Sequence, residues 1–154
     1  MAVRGRASAG PTPPRPRPAS DPRLAPDGHP SPDPRRALGV QAERLAAEHL
    51  ERRGYRIIDR NYRYRGGELD LVARDGDTLV FVEVRARRSA AHGAPFETVG
   101  REKQRRVARA AEHWLVTHGL TRAFARFDVV SVLLPEGGPP EVEVFANAFE
   151  APGW

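Results

Sequence analysis

The chain has no cysteine, one methionine and one lysine among its 154 residues. Without thiols, disulfide frameworks, cysteine nucleophiles and cysteine zinc sites are excluded. No apolar run approaches the ~18 residues that a membrane helix needs. Arg4 and Arg6 lie near the start, but proline and arginine follow where a secretory signal would be apolar. The expectation is a soluble, cytoplasmic protein without membrane contact. Histidine offers no metal set. His113 and His118 stand five apart, not the four of a helical zinc pair, and His29, His49 and His92 are scattered. The shortage of lysine has a counterpart: of 25 basic residues, only Lys103 is not arginine.

What is present is unevenly placed. Ten of the 15 prolines lie in residues 11–34, in stretches such as PTPPRPRP that can form neither helix interiors nor sheet ladders. Residues 1–36 read as a disordered Pro/Arg-rich tail. A basic arm touching nucleic acid is the functional alternative to a low-complexity extension. The tail holds seven arginines and three aspartates, net +4, of a total of +5. Residues 37–154 hold eighteen basic and seventeen acidic residues, and read as one domain. An apolar content of 40% supplies a core.

Within that domain the period of the apolar residues names the elements. Leu38, Ala42, Leu45, Ala46 and Leu50 recur at helical spacing over 37–54. Strands are expected at 55–63, 67–74 and 78–86, the second alternating cleanly with Leu69, Leu71 and Ala73 on one face. The third is apolar on both faces, which places it centrally. A loop at 88–100 precedes a second helix over 101–119, whose stripe is Val107, Ala110, Ala111, Trp114 and Leu115. That stripe makes Trp114 a core residue rather than a base-stacking platform. Strands at 126–134 and 141–146 follow, with a turn from Pro135 to Pro140. The order αβββαββ favours an α/β fold, a mixed sheet with helices on its faces.

Two carboxylates sit oddly in this scheme. Asp70 lies in the second strand, where aspartate is disfavoured. Glu83 lies inside VFVEV, where burial of a charge is costly. Their relation depends on the turn between the strands. A two-residue turn at Gly76-Asp77 puts Asp70 opposite Glu83. One at Asp75-Gly76 puts Glu68 opposite Glu83, with Asp70 diagonal. A three-residue loop separates Asp70 and Glu83 onto opposite faces. In the first two registers clustered carboxylates stand beside Arg85 and call for a cation. Mg²⁺ or Mn²⁺ bound there would activate water and stabilise the leaving oxygen of a phosphodiester. Glu43 borders the apolar stripe of the first helix, where it is able to point toward the same carboxylates.

Basic residues cluster at 52–65, with six arginines against one acid, and at 85–109, with eight basic residues against two acids. Arg63, Arg65, Arg87 and Arg88 from these runs are candidate phosphate-backbone contacts.

The segment LGVQAERLAAEHLERRGYRIIDRNYRYRGGELDLVARDGDTLVFVEVRAR, with REKQRRVARAAEHWL and RFDVVSV after it, resembles the YraN-like proteins, uncharacterised protein family 0102. The resemblance implies the restriction-endonuclease-like superfamily, with its αβββαβ core, and a likeness to archaeal Holliday-junction resolvases. It implies roles for matching positions: Glu43 for the first-helix glutamate, Asp70 and Glu83 for the metal carboxylates, and Arg85 where that motif has lysine. Lys103 and Gln104 match a pair suited to backbone contact. Ala42 stands where the family usually has glycine. Arginine keeps the charge at position 85 but is larger and does not give up its proton. The implied activity is Mg²⁺-dependent cleavage of DNA, branched or recombination-type, by a chain for which the resemblance admits a homodimer. The alternatives are a nucleic-acid-binding module without turnover, and an interaction protein with no nucleic-acid role.

Overall fold

The helical periodicity that opens the domain becomes helix α1, Pro34–Arg52. In this computed structural model the described residues are 33–89 and 99–151. The tail expectation for residues 1–32, and most of the expected 88–100 loop, lie outside them. Helix α1 starts at Pro34, ahead of the helix expected from residue 37. Asp33 caps α1, its side chain accepting the Arg35 N–H at 2.9 Å. Pro34 takes a first-turn position, where a missing N–H costs nothing.

Strands β1 (Arg56–Tyr64), β2 (Gly67–Asp75) and β3 (Thr78–Arg87) follow, then helix α2 (Arg101–Thr117), β4 (Ala125–Leu133) and β5 (Glu141–Phe149). The five strands lie in one mixed sheet in chain order. β1–β2, β2–β3 and β4–β5 are antiparallel, while β3 and β4 are parallel. A parallel pair needs a crossover, and α2 is it. β3 is the central strand, which accounts for apolar residues on both its faces.

Each helix covers part of the sheet. Ala42, Ala46, Ala47 and Leu50 of α1 are fully buried against Leu71, Ala73, Val80, Val82, Val130 and Val132. Three alanines on this stripe let α1 lie close to the strands. Val107, Ala110, Ala111 and Trp114 of α2 pack with Val72, Leu79, Phe81 and Phe127. Trp114 is 1% exposed and meets Phe81 edge-on, with 5.9 Å between ring centres. Its indole N–H donates to Asp59 Oδ2 at 2.9 Å, so its one polar atom is satisfied. Among the described residues no helix is long and apolar enough to cross a membrane.

Two expectations change. Leu69 does not share a cluster with Leu71 and Ala73: it joins the α2-side core while they join the α1-side core. The β2–β3 ladder runs only from Asp75↔Thr78 to Leu71↔Val82, so where Leu69 lies β2 is paired with β1, to Tyr62, and no longer with β3. β5 also runs on to Phe149, past the expected end at 146. A register shift facing Asn147, which takes φ 51, absorbs the irregularity, and Phe149 then stacks on Phe127 at 5.0 Å.

A charge network around the buried Asp128 ties these pieces together. Asp128 is fully buried and takes the Asn147 N–H at 2.8 Å and Arg126 Nε at 3.0 Å. Arg126 Nη2 also reaches Asp75 at 2.8 Å and the Tyr55 hydroxyl at 2.9 Å. The base of the β2–β3 hairpin, the start of β1 and the β5 bulge are thus fastened to β4. Partnering of this kind is what makes a buried aspartate tolerable.

Candidate active site

The turn settles the register. Asp75 pairs with Thr78, so Gly76 and Asp77 form a two-residue loop, and Gly76 takes φ +58 as its first member. The ladder ends at Leu71↔Val82, so Asp70 and Glu83 come next along their strands without being paired through the backbone. The three-residue loop, and with it carboxylates on opposite faces, is excluded.

Asp70 sits where the ladder stops, and its side chain takes over from the backbone. Its Oδ2 accepts the Val84 N–H at 2.7 Å. This bond anchors the carboxylate beside Glu83, within hydrogen-bonding reach of it. Glu83 is only 3% exposed. Arg85 Nη1 lies 3.6 Å from its Oε1, and Lys103 Nζ lies 3.2 Å from its Oε2. Oε2 is buried and makes no hydrogen bond among the described residues.

Burial, then the charge of Asp70, pushes the Glu83 carboxyl up to about 7, against the pull of Lys103 and Arg85. Burial raises Asp70 as well, opposed by the Val84 N–H and Lys103. Two adjoining carboxyls, one of them buried, resist ionising together, and nearby positive charge eases that repulsion.

Glu43 approaches from α1. Its carboxyl is raised by burial and then by the charge of Asp70, and it is hydrogen-bonded to Asn61. Asn61 takes φ 54 in β1, a conformation in which asparagine is favoured over most residues. The flanking pairs Arg60↔Leu71 and Tyr62↔Leu69 put Asn61 beside Asp70. No sequence spacing pointed to Asn61, and its only signal is an asparagine within a strand.

The basic candidates separate into two groups. Arg63, Arg65 and Lys103 line one cleft of about 450 Å³, together with Glu68 and Arg106. Lys103 Nζ also stands 3.7 Å from Glu68 Oε1, so the cleft and the carboxylates share that lysine. Arg87 and Arg88 do not line this cleft. Arg88 instead pairs with Glu136 at 3.8 Å, on the connection between β4 and β5. Gln104 turns its amide toward the backbone, donating to Val99 O at 2.8 Å.

Close packing holds the cleft wall. A Cβ on Gly67 would lie 2.2 Å from the Arg106 carbonyl oxygen, so only glycine lets β2 begin this near α2. That contact places Arg106 and Lys103 next to the β1–β2 hairpin.

Among the described residues no three His, Asp or Glu side chains converge as a metal set. Asp70 and Glu83 are two, within the one or two carboxylates by which Mg²⁺ is usually held. The buried Oε2 of Glu83 has the Lys103 ammonium 3.2 Å away but no hydrogen bond of good geometry, so a metal ion there would share this oxygen with Lys103 or displace it. The donor set therefore fits a hard divalent ion completed by water and substrate oxygens.

Residues 42–132 match the family described as Uncharacterised protein family UPF0102. A UPF0102 protein of Anaeromyxobacter dehalogenans is 54% identical over 121 residues, covering 79% of this chain and 90% of the relative. One of Geobacter sulfurreducens is 53% identical over 113 residues, 73% of this chain and 88% of its own length. One of Rhodococcus jostii is 46% identical over 113 residues, covering 73% and 96%. The matched span contains Glu43, Asn61, Asp70, Glu83, Arg85 and Lys103.

Proposed function

From the premise that the chain belongs to the uncharacterised protein family UPF0102, we propose that it is a Mg²⁺-dependent nuclease cleaving DNA phosphodiester bonds, with branched or recombination-type DNA as the preferred substrate. One observation carries this reading: two adjoining carboxylates, half-buried Asp70 and buried Glu83, open beside an arginine-lined cleft and share Lys103 with it.

Asp70 and Glu83 are the residues that would hold the ion. Bound there, it supplies Lewis acidity toward a phosphodiester and lowers the pKa of a coordinated water. The chain's own groups do the rest. Arg63, Arg65 and Arg106 bind backbone phosphates in the cleft. Lys103 stands between cleft and carboxylates, where a positive charge stabilises the developing negative charge at phosphorus. It lies closer to Glu83 than Arg85 does, 3.2 Å against 3.6 Å, so the lysine of α2 is the better placed cation. Arg85 balances the other oxygen of Glu83. Glu43, oriented by Asn61, borders Asp70 and is the remaining carboxylate able to take a proton from an attacking water.

A second reading rests on the same pairs. Arg85 and Lys103 between them face both oxygens of Glu83. If they neutralise it permanently, the fold binds nucleic acid without turnover.

A cleavage assay separates the two. Labelled linear, single-stranded, flapped and four-way-junction DNA is incubated with Mg²⁺ or Mn²⁺. The nuclease reading predicts metal-dependent products that vanish in Glu83→Gln, with one DNA structure preferred. The binding reading predicts no products, and DNA affinity that survives both Asp70→Asn and Glu83→Gln.

A further inference from the structure

Tyr64 lines the arginine cleft, and it also lines a second cavity of about 310 Å³ with Arg109, Glu112, His113 and Val116. The two cavities differ in chemistry. The first is walled by cations. The second offers an aromatic ring, an imidazole and an aliphatic side chain, with one acid and one base at hand.

The ring of Tyr64 is held in place. His113 stacks on it with 3.9 Å between centres and 13° between planes. His113 is itself fixed, its Nδ1 hydrogen-bonded to the Tyr62 hydroxyl at 2.5 Å. A Cβ on Gly66 would come within 3.0 Å of Tyr64 Cε1, so the missing side chain leaves the ring its room. Yet Tyr64 remains 39% exposed and Val116 62% exposed. A pinned, flat aromatic pair kept partly in water, next to a cationic cleft, is the arrangement that recognises a nucleotide with its base free of a partner.

We propose that the two cavities together bind one unpaired nucleotide of the substrate strand. Its phosphate lies against Arg63, Arg65 and Arg106, and its base enters the cavity at the Tyr64–His113 stack. A base inside a duplex is already stacked on both faces and presents no face to this ring, so the site selects single-stranded segments, such as a flap or the unpaired arm of a branch. This inference rests on the nucleic-acid reading above and narrows its substrate.

The test uses the full chain and short oligonucleotides carrying one 5-iodouracil, as single strand, duplex and flapped duplex, in DNA and RNA forms. Affinity is read by fluorescence anisotropy at fixed salt, and photo-crosslinks are mapped by mass spectrometry. The expected result is that single-stranded and flapped forms bind roughly ten-fold tighter than duplex, as one base stacked on an aromatic ring would give. Crosslinks map to Tyr64 or His113. Tyr64→Ala removes the preference and Tyr64→Phe keeps it. Comparison of the DNA and RNA arms names the nucleic acid. If the stack merely fastens β1 to α2, Tyr64→Ala lowers the melting temperature, the preference persists and the inference is overturned. Equal binding of duplex and single strand, or crosslinks elsewhere, overturns it while leaving the nuclease reading standing. Absence of binding by every probe overturns both.

Discussion

Glu83 shows how a single position carries both chemistry and cost. Its carboxyl is raised from 4.5 to about 7, so between those values the folded chain holds a proton that the unfolded chain has released. Stability from this group is therefore complete below about 4.5 and declines as pH rises through 7. The decline is on the order of 3 kcal/mol for a buried group. Raised Asp70 acts in the same direction. Glu83→Gln should accordingly be more stable than the parent at pH 8 without divalent metal, and equal to it near pH 4.5, as read by urea denaturation at the two values. Millimolar Mg²⁺ should stabilise the parent at pH 8 and leave the variant unchanged. At the same scale, Lys103→Ala should lower cleavage about 100-fold, the usual effect of removing a preorganised positive or donor group, and more than Arg85→Ala does. Steady-state rates of both variants check the order. Asp70 and Glu83 were legible as a pair because a hairpin converts a fixed sequence separation into adjacency. Lys103 reaches Glu83 only through the docking of α2, and Asn61 reaches Glu43 only through a left-handed residue in β1, so neither neighbour follows from spacing.

The elements were legible wherever the apolar period is clean. Both helices, the three-strand meander and the central place of β3 follow from it. The departures have local causes. Pro34 reads as a helix breaker until Asp33 is seen capping the turn it begins. The alternation of β2 fails at Leu69 because the strand leaves the β3 ladder there, and Asp70 uses the gap. β5 outruns its pattern because a bulge at Asn147 resets its register. The fastening of Tyr55, Asp75 and the Arg126–Asp128 pair joins three places in the chain, which no local pattern announces. One contact between elements is open to direct test. Gly67→Ala would push a methyl group against the Arg106 carbonyl. It should cost about 2 kcal/mol, in the range of overpacked sites, and should weaken nucleic-acid binding by moving α2 from the cleft. Denaturation and anisotropy measured on the same sample check both.

At the scale of the molecule, the sheet has a helix on each face, and the site lies where β2, β3 and the first turn of α2 converge. Residues 37–154 are almost neutral, yet Arg63, Arg65, Lys103 and Arg106 gather on one cleft, so the charge that matters is its arrangement rather than its total. Binding should weaken linearly in log salt. Replacing any one of these four by alanine should reduce the slope by about one, which a titration series between low and moderate salt would show. On the reading proposed above, the Asp70–Glu83 pair takes a divalent cation. The most direct measurement is a Mn²⁺ titration followed by electron paramagnetic resonance, on the parent chain, Asp70→Asn and Glu83→Gln at pH 8. Bound Mn²⁺ is expected in the parent, displaced by excess Mg²⁺ and lost in both variants. Mn²⁺ binding that is absent from the parent, or unchanged in both variants, would contradict it.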